Sequence, residues 1–90
     1  MNRKIFLPVL AALALLPGAL LAAPQCTDAP RVKWMSEAAM KQKVLDQGYA
    51  IDIFKVSGNC YEIYGKNRDG KKVEIYFDPT DGRIVKQRGG

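Results

Sequence analysis

The sequence predicts an α+β domain, one N-terminal helix packed on a four-stranded antiparallel meander sheet. Three observations predict it. Lys71 to Asp78 alternate, with Val73, Ile75 and Phe77 on one face and Lys72, Glu74 and Tyr76 on the other, the period of a half-buried strand. That segment lies between two glycine-ended turns, Asn67-Arg68-Asp69-Gly70 and Asp78-Pro79-Thr80-Asp81-Gly82, whose residue types favour tight reversals. Upstream, Met40 and Val44 fall four apart, with Ala38 and Leu45 beside them, as on an amphipathic helix.

The first element, residues 1–22, reads as a signal peptide. Arg3 and Lys4 give a basic start, and an apolar run from Ile5 to Ala23 ends in small residues. Pro8, Pro17 and Gly18 interrupt a stretch barely long enough to span a bilayer, which argues against a retained anchor. Cleavage is expected after Ala22, because a cut after Ala23 places Pro24 directly behind the bond. Gln25 lacks the small side chain expected before a lipid-modified Cys26. The expectation is a periplasmic or secreted protein with no membrane span after cleavage.

The 68 residues that remain form one domain with 12 basic and 9 acidic residues, a charge of +3. Acidic residues interrupt the basic ones, so no concentrated basic face offers itself to nucleic acid. Cys26 and Cys60 are the two cysteines. In an oxidising compartment they read as a disulfide. Closing that loop would contribute roughly 3–4 kcal/mol on the chain-entropy account, valuable in a domain this small. Without histidine or a Cys-x-x-Cys pair, a metal pair or redox-active thiol is weakly supported.

Residues 23–35 form an extended arm with Pro24 and Pro30 and no periodicity; residues 36–88 form the folded domain. Ser36 caps the helix, Glu37 occupies its first turn and Met35 staples onto Met40. Gly48 ends it. Tyr49 to Val56 alternate as the first strand, and Ser57-Gly58-Asn59 turns into the second, Cys60 to Lys66. The third follows the Asp69-Gly70 turn, and Arg83 to Gln87 close the sheet.

Strict alternation puts Ile51, Ile53, Tyr61, Ile63, Val73, Ile75 and Phe77 under the helix. It leaves Phe54, Val56, Tyr64 and Tyr76 on the other face among Asp52, Glu62, Glu74 and Lys72. Two readings of that outer face stay open. The Cys26 arm, with Val32 and Trp34, covers part of it, or the uncovered remainder is an interaction surface.

Catalysis is poorly supported. The absence of histidine excludes Ser-His-Asp triads and histidine acid–base chemistry. Nucleophile-elbow, P-loop and dinucleotide fingerprints are missing. Glu62 and Glu74 share the outer face and could form a carboxylate dyad. A flat sheet offers it no cleft, and Lys55, Lys66 or Lys72 would neutralise it. Asp78 and Asp81 lack the spacing of a calcium loop and serve as turn residues.

The Gly48-Tyr49 helix exit, the Tyr61-Glu62-Ile63 strand, and Asp69-Gly70 followed by Val73-Glu74-Ile75-Tyr76-Phe77-Asp78-Pro79 and Gly82 resemble the PepSY domain. The resemblance runs from about Ser36 to Val85, with Cys26 and its arm an addition. It implies a non-enzymatic domain of the kind found in propeptides of secreted metallopeptidases, proposed to bind or restrain peptidases.

The resulting expectation is an exported, monomeric binding module without cofactor, metal or catalytic residues. It engages a protein partner, a peptidase for preference, through Phe54, Glu62, Tyr64, Glu74 and Tyr76. The alternative is a small-ligand or metal-ion sensor using Asp52, Glu62 and Glu74. Edge pairing into a homodimer is opposed by Arg83, Lys86 and Arg88.

Overall fold

A computed structural model describes residues 23–90, and the expected signal peptide lies outside the described residues. A 3-10 turn at Arg31–Lys33 precedes helix α1, Glu37–Asp46, and strands β1, Ala50–Ser57, β2, Cys60–Lys66, β3, Lys72–Phe77, and β4, Ile84–Gly89. The strands form one sheet in the order β1-β2-β3-β4, every neighbouring pair antiparallel. The helix-then-meander architecture is the one the alternation and turns predict.

Local chemistry explains the boundaries. The Ser36 hydroxyl accepts a hydrogen bond from the Ala39 amide at 3.1 Å, satisfying a donor the first turn leaves unpaired. Gly48, at φ 98°, ends the helix in the left-handed region. Asn67 Oδ1 accepts from the Asp69 and Lys71 amides, each at 3.0 Å, and so fixes the β2–β3 turn. In the β3–β4 turn the Asp78 carboxylate accepts from the Thr80 amide at 2.8 Å, the Thr80 hydroxyl at 2.6 Å and Arg83 Nη2 at 3.1 Å. Three donors balance the burial of this aspartate.

The apolar stripe of α1 is narrower than its spacing suggests. Met40 and Val44 are fully buried, whereas Ala38 and Leu45 face solvent, Leu45 being 48% exposed. At 3.6 residues per turn Leu45 lies about 140° round the helix from Met40, too far to reach the sheet that Met40 meets.

The phase of β1 also departs from strict alternation. Ile51 pairs with Gly65 and Ile53 with Tyr64, so two residues of β1 oppose one of β2 and Asp52 is the extra one. This bulge reverses the facing of everything after it. Phe54 and Val56 therefore join Ile51 on the helix side, and Ile53 turns outward. Gly65 makes room for the bulge, since a Cβ there would stand 1.9 Å from the Ala50 carbonyl oxygen.

The core consists of Met40, Val44, Tyr61, Ile63, Val73, Ile75 and Phe77, flanked by half-buried Trp34, Met35, Tyr49, Ile51, Phe54 and Val56. Trp34 is on this side, edge-on to Tyr61 with ring centres 5.4 Å apart, and does not cover the outer face. Val32 is exposed and covers nothing there. The cause is the 3-10 turn, which redirects the arm over the end of the sheet. Tyr61 then donates its hydroxyl hydrogen to the Met35 carbonyl at 2.6 Å, and the Met35 amide bonds the Pro79 carbonyl at 2.8 Å.

Candidate functional site

The outer face of the sheet is closed at one end and open at the other. At the closed end Cys26 and Cys60 form a disulfide, Cα atoms 5.2 Å apart. Asn59 locks the arm alongside: its Oδ1 accepts from the Cys26 amide at 2.8 Å and its Nδ2 donates to the Thr27 carbonyl at 2.6 Å. The disulfide packs on Tyr76, with Ala23 and Val85 at the edges. Tyr76 is thereby only 5% exposed. The arm does seal part of this face, through Cys26 and Ala23 in place of Val32 and Trp34.

Next to this seal lies a carboxyl pair. Glu62 stands opposite Tyr76, and Tyr64 stands opposite Glu74, so the four residues form one square on β2 and β3. Glu62 is 1% exposed, and its Oε2 has no hydrogen-bond partner among the described residues. Glu74 is better served. It accepts from the Tyr76 hydroxyl at 3.0 Å and faces Arg88 Nη1 of β4 at 3.6 Å.

The two carboxyl groups accordingly move apart in acidity. Burial, and then the neighbouring Glu74 carboxyl, push the Glu62 pKa up. Hydrogen bonding from Glu62, helped by Tyr76, Tyr64 and Arg88, brings the Glu74 pKa down despite partial burial. A neutral Glu62 donating to an ionised Glu74 is the state these environments favour. Tyr76 is pushed above the ordinary phenol value, first by burial and then by its bond to Glu74.

The open end presents Tyr64, 39% exposed, paired with Ile53, 54% exposed. Lys55 Nζ lies 6.0 Å from the Tyr64 ring centre. Of the residues expected on this face, Glu62, Tyr64, Glu74 and Tyr76 come together, and Phe54 does not. Phe54 lies behind the sheet, 5.1 Å from the Tyr61 ring and under Lys41 of the helix at 5.2 Å. Lys55, Lys66 and Lys72 share this face as expected, but none of them forms an ion pair with Glu62 or Glu74. Lys66 pairs with Asp52 at 3.1 Å, and the cation on the carboxyl pair is Arg88. Ile53, Asn59 and Arg88 were missed in the sequence; Gly65 inside a strand pattern was the available signal for the bulge that exposes Ile53.

An acid beside a base is the pattern of a catalytic dyad, but the two main concavities among the described residues lie elsewhere. One open concavity of about 340 Å³ is lined by Gln47, Gly48, Tyr49, Asn67, Arg68 and Asp69. A second, of about 280 Å³, is lined by Asp52, Ile53, Tyr64, Gly65, Lys72 and Val73, and neither includes Glu62 or Glu74. Among the described residues no group of three or more acidic or cysteine side chains is placed to hold a metal ion, so Asp52, Glu62 and Glu74 do not form one. No described helix is long and apolar enough to cross a membrane.

The family PepSY_2, described as peptidase propeptide and YPEB domain, matches residues 7–88. No curated protein and no solved structure gives a significant match.

Proposed function

The chain belongs to the PepSY_2 family, the peptidase propeptide and YPEB domain, and from that premise we propose that it is an exported, non-enzymatic binding module that engages a protein partner and modulates a peptidase. The observation that carries this is the exposed Ile53–Tyr64 pair, an apolar and aromatic surface bordered by Lys55, Lys72 and Glu74. An amphipathic aromatic at the centre and charges at the rim are what protein interfaces favour. The arm and its disulfide hold the remainder of the face rigid, which lowers the ordering cost of docking. The disulfide also fits an oxidising compartment outside the cytoplasm.

The test is titration of residues 23–90 into purified exported peptidases of the source cell, with peptide hydrolysis and direct binding followed together. A saturable change in rate with at least one peptidase, weakened about tenfold by Ile53→Asp with Tyr64→Ala, is expected, a loss near 1.4 kcal/mol. Binding that survives both substitutions unchanged contradicts the surface, and no binding to any of them contradicts the peptidase as partner.

A further inference from the structure

We propose that Glu62 and Glu74 form a pH-sensitive latch, in which one shared proton clamps β2 to β3 beneath Tyr64 and its release to solvent loosens the open end of the outer face. This device concerns the domain alone and stands whether or not the partner is a peptidase.

The geometry leaves Glu62 few alternatives. Its carboxyl is 1% exposed with one oxygen unpartnered among the described residues, and a buried carboxylate in that state is costly. A proton on Glu62 removes the charge and supplies a donor toward Glu74, its diagonal neighbour across the β2–β3 pair on the same face. Glu74 is already committed to the Tyr76 hydroxyl and Arg88, so it remains the anion of the pair.

The groups facing the pair come from every neighbouring strand. Lys55 of β1 stands opposite Glu62, and Tyr64 and Tyr76 flank it on β2 and β3. Arg88 and Lys86 of β4 stand opposite Glu74 and Tyr76. Lys72 lies two residues before Glu74 on the same face, and the arm contributes the uncharged disulfide. Tyr76 is sealed under that disulfide and cannot yield, whereas Tyr64 is 39% exposed, with Ile53 beside it and Lys55 near its ring. Loss of the proton places two like charges side by side. The response is an outward swing of Tyr64, with Lys55 moving from its ring toward the Glu62 carboxylate. The latch therefore rearranges the surface that Tyr64 and Lys55 present.

Carbon-detected NMR of glutamate- and tyrosine-labelled protein, titrated from acid to mildly alkaline pH, tests this. Glu62 is expected to titrate above the ordinary glutamate value, with a second inflection in Glu74 and a shift of the Tyr64 ring at the same pH. In Glu62→Gln, whose amide donates without ionising, the Tyr64 inflection disappears. Independent titration of both glutamates near the ordinary value overturns the latch, as does a Tyr64 inflection that persists in Glu62→Gln. The wild-type curves alone decide the matter if that variant does not fold.

Discussion

Phe54 stands opposite Ile63 on the helix side of the sheet, while Ile53, its neighbour in sequence, stands beside Tyr64 on the other side. One extra residue, Asp52, produces this division between core and surface. Phe54→Ala is expected to destabilise the domain by about 2 kcal/mol, less than a fully buried phenylalanine would cost. Ile53→Asp should change stability by no more than about 0.5 kcal/mol. Urea denaturation of the two variants checks the assignment, and the reverse order of effects would place the bulge wrongly.

Gly65 and Gly70 are both strand-or-turn glycines with opposite tolerances. A Cβ at Gly65 meets the Ala50 backbone at 1.9 Å, whereas at Gly70 it meets nothing but must adopt φ 78°. Gly65→Ala should cost about 3 kcal/mol through forced backbone movement, and Gly70→Ala about 1 kcal/mol through left-handed strain. Thermal unfolding of the pair measures the difference.

Reduction of the Cys26–Cys60 bond frees the arm. The Cys26→Ala, Cys60→Ala protein should lose about 3–4 kcal/mol on the chain-entropy account, and Tyr76 should gain solvent exposure. Asn59→Ala in the oxidised protein removes two arm contacts, one to the Cys26 amide and one to the Thr27 carbonyl, and should cost about 1–2 kcal/mol. Denaturation and hydrogen exchange at the arm amides read both effects.

Stability should pass through a maximum in mildly acidic solution. Glu62 has a folded pKa above its ordinary 4.5; its contribution is complete below that value and is lost as pH rises through the folded one. Glu74 has a folded pKa below its ordinary 4.5; its contribution is present above that value and is lost as pH falls through the folded one. Glu62→Gln should therefore abolish the decline on the alkaline side and Glu74→Gln the decline on the acid side. Melting temperature as a function of pH for the three proteins provides the comparison.

Much of this was written in the chain. The alternation of β2 and β3 set the two faces because neither strand contains an insertion, and the Asp69-Gly70 and Asp81-Gly82 turns marked the meander. The phase of β1 was not legible from alternation, since a bulge leaves the same residue types in the same order and shifts only their facing. Trp34 was misplaced because a three-residue turn sets the direction of the arm, and periodicity is silent over such a length. The burial of Glu62 was hidden for a different reason. An outward glutamate reads as a wet position, and its neighbours on that face are two aromatic rings, Tyr64 of its own strand and Tyr76 of β3.

The most direct measurement compares partner affinity for two surface variants on opposite sides of the sheet. Ile53→Asp with Tyr64→Ala alters the outer face, and Leu45→Asp alters an equally accessible site on the helix, 48% exposed. With a peptidase as partner, the outer-face variant should bind about tenfold more weakly, near 1.4 kcal/mol, and the helix variant should bind as the wild type does. Retained affinity in the first and lost affinity in the second would contradict the outer face as the site of action.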